Sequence, residues 1–489
     1  MMQDPIFQAF ATRARRRPDA PLVVSPGRTA TAGEVNDLAR TAGEVLEQRS
    51  FAPGEVVALA AGNGPGMLAS LLALLQAGLP ALLLDARAPE TEGLRIARAL
   101  GAATLLRCRC AWPRGGAEWS LVETAADSPG GPLRLPGTAV VKLTSGSTGL
   151  PRGVAAPSAA LLADDAALAA SMGLRDDDRL LSFIPMSHSY GLSSLVLPAL
   201  VRGNVLVVPE GTSLLEPFLA ANRAGATVFP TVPAYLQSLL RLSHPPAWPP
   251  TLRLVISAGA PLSPATARLF RSTFGQPAHV FYGASECGGI CYDREGGAGE
   301  RGTVGTPVEG VAIELLPACA PNAGTAAPNG GGIVSVASAA VAQGYVPLGD
   351  PRLSSGRFTG CDLAEWRGGE LTLRGRLDDL INVKGKKVDP REVEVVLGQL
   401  AGVDEVVVLG VPVPQQEAEM VRAVIACRSG RLTSEEVLLW CRAHLSAHKV
   451  PRSIVLLPEL PRTARGKLDR PALLTLEASP GLSRPIYGG

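Results

Sequence analysis

The chain has 489 residues, of which 46% are hydrophobic and 18% charged, so it can bury a large core and is not disordered by composition. At about 150 residues per domain, this length predicts about three domains or subdomains. The formal net charge of +2 disfavours a dedicated nucleic-acid-binding protein, because such proteins carry a basic stripe and a high pI. The one basic cluster, residues 13–17, precedes Pro18 and is interpreted as the last turn of a first helix.

The amino terminus lacks the charged and then apolar pattern of a secretory signal peptide, so a cytoplasmic protein is expected. The most apolar segment, residues 67–84, is interrupted by Gln76 and Pro80. These interruptions leave no run of about 18 uninterrupted apolar residues, so the segment is interpreted as a buried helix over 67–77 followed by a buried strand over 80–84 and not as a transmembrane helix.

Apolar segments of strand length alternate with helical patterns through the first 300 residues. This alternation predicts a layered α/β architecture with largely parallel sheets. The predicted strands are residues 56–60, 81–84, 104–106, 205–208, 228–229 and 252–256. The predicted helices are residues 32–48, 66–77, 161–171, 213–224, 234–241 and 263–274.

The pattern changes beyond residue 300. Residues 303–373 carry short strands and glycine-rich turns, which predict a small β-rich subdomain, while residues 113–137 and 317–332 are predicted loops. A mixed α+β pattern follows residue 375. It comprises a helix over 390–400, strands over 403–411 and 423–427, and a helix over 434–445. Two domains are therefore predicted, over residues 1–375 and 376–489.

Cysteine and lysine are both distributed unevenly. The eight cysteines include Cys108 with Cys110 and Cys287 with Cys291, but no second pair at zinc-ligand spacing, so reduced thiols and no zinc site are expected. Lysine is rare, and five of the six lysines lie beyond residue 380, which points weakly to function near the carboxyl end. The lysines are at positions 142, 384, 386, 387, 449 and 467.

Residues 141–154, VKLTSGSTGLPRGV, place hydroxyls and glycines directly after an apolar strand. Such a segment can cradle phosphate oxygens with backbone amides and hydroxyls. The spacing is not that of a Walker A loop. The alternative is an ordinary turn between two elements.

Five motifs in order along the chain resemble those of the adenylate-forming superfamily, which includes acyl-CoA synthetases, peptide-synthetase adenylation domains and luciferases. These motifs are the phosphate loop at 144–153, the strand and Gly-Ala turn at 252–261, the aromatic motif FYGASE at 281–286, the hinge motif at 375–394 and PRTARGK at 461–467. The resemblance implies a large N-terminal domain of layered sheets and helices with a β-rich subdomain, and a small, mobile α+β C-terminal domain.

The resemblance also implies the nucleotide site. The phosphate loop supplies donors and a cation, the Gly-Ala turn and the aromatic motif meet adenine, and Asp362 with Arg376 holds the ribose. The implied nucleotide-binding residues are Thr144, Ser145, Gly146, Ser147, Thr148, Gly149, Arg152, Ala258, Gly259, Ala260, Tyr282, Gly283, Ser285, Asp362 and Arg376.

Three residues are implied to act in the reaction. Glu286 stands where the family binds Mg²⁺, and a carboxylate suits that hard cation. Lys467 would bridge the acyl carboxylate and the phosphate, unless it is only a solvated surface lysine. His188 is assigned to the wall or gate of the acid pocket, the alternative being a histidine that is satisfied at a helix end.

Residues 185–192, PMSHSYGL, resemble the stretch of the family that lines the acid pocket. Amino-acid-activating members usually have an aspartate in this region, and its absence disfavours an α-amino acid substrate. Apart from His188 and Tyr190, the implied lining is small and apolar, which fits an aryl or a medium-to-long aliphatic acid. The implied pocket residues are His188, Tyr190, Gly191, Val232, Pro233, Ala258, Gly283, Ala284 and Gly288.

The resemblance implies a second conformation for the acceptor. The C-terminal domain would rotate about Asp378 between the two half-reactions. Lys384, Gly385 and Lys386 lie in the moving segment and could contact the acceptor, or they could belong to a solvated face.

Three motifs depart from the family pattern. The usual Thr-Gly-Asp is Gly360-Cys361-Asp362 here, and Ser285 replaces the common threonine. Arg152 stands where lysine is common, a mild change because either cation can pair with phosphate.

The expected function is ATP-dependent activation of a carboxylic acid to an acyl-adenylate, with pyrophosphate release and transfer to a thiol, most simply that of CoA. The alternatives are transfer to a carrier protein or to an amine. A carrier protein is expected to act in trans, since the chain ends soon after Lys467 and leaves no room for a fused carrier. A non-catalytic ATP-binding module is the remaining alternative.

Overall fold

The structure is a computed structural model of the whole chain. It describes residues 3–124, 131–144, 152–211, 213–317, 331–346, 350–354, 356–377, 381–383, 386–388, 390–413, 419–428, 431–445, 447–463 and 468–476.

The chain divides into two compact units. The first comprises Met1–Glu314, Ser335–Gly360 and Trp366–Thr372, and the second comprises Leu315–Val334, Cys361–Glu365 and Leu373–Gly489. The predicted boundary between residues 375 and 376 stays a prediction.

The helices are α1 (Pro5–Arg16), α2 (Ala32–Leu46), α3 (Pro65–Gln76), α4 (Glu90–Ala99), α5 (Ser158–Met172), α6 (Ser189–Gly191), α7 (Glu216–Ala224), α8 (Pro233–Leu240), α9 (Pro264–Phe274), α10 (Ala298–Arg301), α11 (Pro390–Leu397), α12 (Ser434–His444) and α13 (Arg470–Thr475). Two π-helical segments continue α6, over Leu192–Val196 and Pro198–Arg202.

The strands are β1 (Pro21–Ser25), β2 (Arg28–Thr31), β3 (Val57–Ala61), β4 (Ala81–Asp85), β5 (Thr104–Cys110), β6 (Ala117–Glu123), β7 (Val140–Thr144), β8 (Arg152–Ala156), β9 (Arg179–Leu181), β10 (Val205–Val207), β11 (Val228–Thr231), β12 (Leu254–Ser257), β13 (His279–Ala284), β14 (Gly288–Tyr292), β15 (Thr306–Pro307), β16 (Ala312–Leu316), β17 (Gly332–Ala337), β18 (Gly344–Val346), β19 (Leu353–Ser354), β20 (Arg357–Arg367), β21 (Glu370–Arg376), β22 (Ile381–Val383), β23 (Lys386–Val388), β24 (Glu405–Pro412), β25 (Glu419–Ala426) and β26 (Ser453–Leu457).

Two large sheets organise the first unit. The nine-stranded sheet has the order β15-β14-β13-β12-β11-β9-β10-β1-β2, and the seven-stranded sheet has the order β18-β8-β7-β4-β3-β5-β6. The central pairs of both sheets are parallel. Every residue of β11 and β12 is buried, as expected for parallel strands that are covered on both faces. The predicted α/β class is confirmed.

The predicted elements of the first 300 residues are present. The six predicted strands correspond to β3, β4, β5, β10, β11 and β12, and the six predicted helices to α2, α3, α5, α7, α8 and α9. Residues 65–75 of α3 are all buried, because the helix is apolar on every side. Within the described parts of the chain, no helix is long and apolar enough to cross a membrane.

One predicted loop is partly wrong. Residues 113–137 contain β6, which pairs with β5 in antiparallel register from Ala117 opposite Cys110 to Glu123 opposite Thr104. β6 lies at the edge of its sheet and is only partly buried, so its sequence lacks the apolar run of an interior strand. Its pairing depends on β5 and not on a local signal.

The second unit contains a three-stranded sheet of order β24-β25-β26, against which α11 and α12 pack. Val393, Leu397, Val408, Ile425 and Val437 meet in its core. The predicted helices and strands of residues 390–445 correspond to α11, β24, β25 and α12. The α+β class predicted for this part of the chain is confirmed.

Candidate active site

The predicted phosphate loop connects β7 to β8. Thr144 is the last residue of β7 and lies opposite Arg152, the first residue of β8, and the Thr144 hydroxyl donates to the Arg152 carbonyl over 3.4 Å. The predicted phosphate donors between these strands lie outside the described residues. They are Ser145, Gly146, Ser147, Thr148 and Gly149.

Tyr345 connects the cation of the loop to the predicted metal ligand. The Arg152 guanidinium stacks on the Tyr345 ring, 3.9 Å from its centroid, and forms an ion pair with Asp350 at 2.8 Å. The Tyr345 hydroxyl donates to Glu286 Oε1 over 3.0 Å. Tyr345 lies in β18, whose pairing with β8 places residue 345 opposite Val154. This arrangement fixes the direction of the Glu286 carboxylate.

The electrostatics keep each partner in the state that these contacts need. Burial raises the pKa of Tyr345, and the negative charge of Glu286 raises it further, so the phenol stays a donor at neutral pH. The pKa of Asp350 is held well below its ordinary range by hydrogen bonds from Arg352 and Arg152, so its carboxylate stays ionised.

Neither Tyr345 nor Asp350 belongs to a motif identified in the sequence. Both contacts cross long stretches of chain, because Tyr345 lies 59 positions from Glu286 and Asp350 lies 198 positions from Arg152. The pairing of β18 with β8 accounts for the position of Tyr345, whereas Asp350 is identified only by its ion pair with Arg152.

Ser285 joins three segments of the site. Its hydroxyl lies 2.6 Å from the Ser189 hydroxyl and 3.4 Å from the carbonyl oxygen of Leu143, near the end of β7. Ser189 begins α6, and His188 precedes it in an extended conformation. The serine in the place of the usual threonine therefore still connects the aromatic motif with the acid-pocket segment.

Tyr190 is fixed by the end of β12. Its hydroxyl donates to the Ile256 carbonyl over 2.8 Å, and its ring lies 5.7 Å from that of Phe281. Burial raises the pKa of Tyr190 well above its ordinary value. At Gly191, an added Cβ would lie 1.9 Å from the Pro185 carbonyl oxygen, so only glycine permits this backbone approach.

The Gly-Ala turn and the start of α8 leave the sheet at one edge, because β11 and β12 are parallel and in register. Ala258, Gly259 and Ala260 follow β12, and Val232 and Pro233 follow β11. Gly259 has a φ of 81°, and an added Cβ would lie 3.9 Å from Val232 Cγ1. The predicted adenine turn and the predicted pocket wall are therefore neighbours.

The aromatic motif forms a tight antiparallel pair. Tyr282 and Gly283 lie in β13, and Ala284 pairs with Gly288 of β14. An added Cβ at Gly283 would lie 2.7 Å from the Gly288 carbonyl oxygen. The pair leaves no room for a larger residue at position 283.

The two predicted ribose contacts lie together in the second unit. Arg376 Nη1 donates to Asp362 Oδ1 over 3.3 Å, with Asp362 in β20 and Arg376 in β21. The altered Gly360-Cys361 pair continues β20 as regular strand.

Several predicted residues of the C-terminal part have no described position. Lys467, Asp378, Lys384 and Gly385 lie outside the described residues. Lys386 begins β23, and its side chain is not among the described parts. The metal site at Glu286, the acceptor contacts and the hinge stay predictions.

Two family models match the chain. The model of the AMP-binding enzymes matches residues 10–346, and that of the C-terminal domain of AMP-binding enzymes matches residues 392–467. The first match alone covers more than half of the sequence.

Curated relatives align along nearly the whole chain. Novobiocin biosynthesis protein H from Streptomyces niveus is 30% identical over 96% of this chain and 82% of its own length. A feruloyl-CoA synthase from Amycolatopsis sp is 28% identical over 93% of this chain and 96% of its own length.

Solved structures agree with the fold. ATP-bound MatB from Rhodopseudomonas palustris superimposes with a TM-score of 0.78 at 24% identity, covering 96% of this chain and 98% of its own. The amide bond synthetase McbA from Marinactinospora thermotolerans has a TM-score of 0.76 at 27% identity, covering 96% and 99%. The chain therefore belongs to the adenylate-forming family of AMP-binding enzymes that its motifs predicted, and it is an AMP-forming ligase.

Proposed function

We propose that the protein activates a carboxylic acid with ATP and transfers the acyl group to the thiol of CoA. In the first step a carboxylate oxygen attacks the α-phosphorus of ATP, and the bond to pyrophosphate breaks. In the second step the thiol attacks the acyl carbon, loses its proton, and AMP leaves. The observation that carries this proposal is that Tyr345 contacts both Arg152 of the phosphate loop and Glu286 of the aromatic motif.

These contacts suit a reaction in which negative charge develops on phosphate oxygens. Fixed donors and cations act best when they are oriented before the reaction, since they then need no rearrangement. Arg152 is held by Asp350 and by the Tyr345 ring, and Ser285 is held by Ser189. The donors of residues 145–149 and the adenine contact of Tyr282 complete the proposed nucleotide site.

The residues at Glu286 fit Mg²⁺. A carboxylate is the ligand type that this cation prefers, and the hydrogen bond from Tyr345 is the outer contact that commonly orients a ligating carboxylate. When bound, Mg²⁺ would neutralise charge on the phosphate oxygens. The role of Tyr345 is to hold the Glu286 carboxylate in one orientation.

We propose an aryl or a medium-to-long acyl acid as the substrate. The Tyr190 hydroxyl already donates its proton to a backbone carbonyl, so we propose that the substrate contacts the ring of this tyrosine. The remaining proposed lining is glycine, alanine, valine and proline. Feruloyl-CoA synthases among the relatives favour an aryl acid, whereas oxalate–CoA ligases and a sulfoacetate–CoA ligase mark small acids as the outcome that would contradict this choice.

The acceptor has three candidates, and a relative or structural neighbour supports each of them. Many relatives are named as CoA ligases or CoA synthases, and on this basis we propose CoA. An amine is the second candidate, because a structural neighbour at 27% identity is an amide bond synthetase. A linear gramicidin synthase from Brevibacillus parabrevis aligns over 96% of this chain, which keeps a carrier protein in trans as a third acceptor to test.

The proposed roles of the C-terminal part follow the motifs alone. Lys467 bridges the acyl carboxylate and the phosphate during adenylation. Asp378 is the hinge, and Lys384, Gly385 and Lys386 contact the acceptor after rotation.

The decisive experiment measures pyrophosphate release with a panel of aryl, aliphatic and dicarboxylic acids. Products formed with CoA, amines or carrier proteins are then identified by mass spectrometry. We expect release to depend on an aryl or longer acyl acid, and a thioester to form with CoA. Failure of every acid in the panel to give pyrophosphate release would contradict the proposed acid activation. An amide product without a thioester would make an amine, and not CoA, the acceptor.

A further inference from the structure

A buried carboxylate connects two segments of the proposed acid pocket. Asp164 of α5 is only 3% exposed. Its Oδ2 accepts a hydrogen bond from Ser193 Oγ at 2.6 Å, and its Oδ1 accepts one from the Gly289 amide at 2.9 Å. Ser193 lies two residues after Gly191 in the π-helical segment, and Gly289 is the second residue of β14.

The contact with β14 is closer than a side chain at position 288 would allow. An added Cβ at Gly288 would lie 2.2 Å from Asp164 Oδ1 and 2.8 Å from Oδ2. Gly288 also has a φ of 68°, which disfavours other residues. The glycine therefore lets the Asp164 carboxylate lie directly against the backbone of the pocket wall.

We propose that Asp164 is a positioning residue that sets the shape of the acid pocket by tying Ser193 to the Gly288–Gly289 backbone. This inference rests on the proposed function, because it assigns Asp164 to acid binding in the activation step. Asp164 does not touch the acid. It fixes the distance between the segment after Tyr190 and the segment after Ala284.

The test compares two neighbouring buried aspartates. Asp165 is also 3% exposed, but it pairs with Arg202 at 3.0 Å at the end of the second π-helical segment. For Asp164→Asn we expect the KM of the acid to rise by about tenfold and the KM of ATP to stay within about twofold, because asparagine is uncharged and can accept only one of the two hydrogen bonds that the carboxylate accepts from Ser193 and Gly289. The order of preference among acids of different width should change as well.

The matched control is Asp165→Asn. It should lower thermal stability about as much as Asp164→Asn does, while the KM of the acid and that of ATP change by less than about twofold. Equal changes in the two KM values for Asp164→Asn, with an unchanged order of acids, would overturn the inference, since they would mean a purely structural role.

Ser193→Ala keeps the inference testable if Asp164→Asn does not fold. It removes one of the two contacts, and we expect the KM of the acid to rise severalfold at constant KM of ATP. An unchanged acid KM would overturn the inference. If no acid led the wild-type protein to release pyrophosphate, the proposed function would be contradicted, and the inference that rests on it as well. An active wild type with Asp164→Asn indistinguishable from Asp165→Asn would overturn the inference alone.

Discussion

At the scale of single residues, the site combines groups from distant parts of the chain into short, charge-assisted contacts. The Tyr345 ring stacks on Arg152 and its hydroxyl donates to Glu286. The Asp350 carboxylate forms an ion pair with Arg152. The motifs identified Arg152 and Glu286, because these residues belong to segments with a recognisable order of residue types. Tyr345 and Asp350 carry no such pattern; the pairing of β18 with β8 reveals Tyr345, and the ion pair with Arg152 reveals Asp350.

Tyr345→Phe should separate the hydrogen bond to Glu286 from the stacking on Arg152. The ring stays, but the carboxylate loses a donor, and a hydrogen bond to a charged group contributes about 1.5–3 kcal/mol. We therefore expect adenylation at limiting Mg²⁺ to fall by at least about tenfold, with partial recovery at high Mg²⁺. Initial rates of pyrophosphate release over a Mg²⁺ titration measure this.

Tyr235→Phe is the matched control, since its hydroxyl donates to the Leu214 carbonyl over 2.8 Å within the core. It should cost stability without a change in the Mg²⁺ dependence. A Tyr345→Phe variant with an unaltered Mg²⁺ titration would remove Tyr345 from the proposed metal site.

Lys467→Ala should nearly abolish adenylation but spare thioester formation from a supplied acyl-adenylate, because we propose that this lysine acts only in the first half-reaction. The two half-reactions are assayed separately, by pyrophosphate release and by thioester yield. Lys449→Ala is the control, since Lys449 pairs with Glu392 at the surface. Equal loss in both half-reactions would mean that Lys467 is structural or serves both steps.

At the scale of elements, apolar runs predicted the interior strands, and helical periodicity predicted the long helices. This succeeds because β11, β12 and α3 are buried on all sides, so that their composition directly reflects their position. β6 was missed because an edge strand is half exposed and takes its register from β5. The π-helical segments after Gly191 were also missed, since no residue pattern marks them.

Gly191→Ala tests whether the start of this helical segment sets the pocket. The added Cβ would overlap the Pro185 carbonyl oxygen, and overpacking costs about 1–3 kcal/mol. We expect lower stability together with a raised KM of the acid, measured by denaturant unfolding and by acid titration of pyrophosphate release.

Gly43→Ala is the control for Gly191→Ala. Gly43 lies inside α2, and an added Cβ would meet nothing within 4 Å. Alanine should stabilise the helix there by about 0.5–1 kcal/mol and leave the KM of the acid unchanged. If Gly191→Ala behaved in the same way, the close approach at Pro185 would not matter for the pocket.

At the scale of the whole molecule, the two-part organisation and the fold class follow from the sequence, because each part has its own periodicity and its own buried core. The acid and the acceptor do not follow from it, since the acid depends on the width of a pocket and the acceptor on the second conformation that we propose. Asp164 illustrates why the pocket width does not follow from the sequence. It accepts hydrogen bonds from Ser193 and Gly289, which lie 29 and 125 positions away along the chain.

Asp378→Pro tests the proposed hinge. A hinge residue must adopt two φ/ψ pairs, whereas proline fixes φ at about −65° and removes the amide donor. If the trapped state is the adenylating one, pyrophosphate release should survive while acyl transfer falls far more steeply. Destabilisation alone would lower both steps together through the folded fraction, so single-turnover measurement of each step separates the two causes. Parallel losses, or full overall turnover, would both count against a pivot at Asp378.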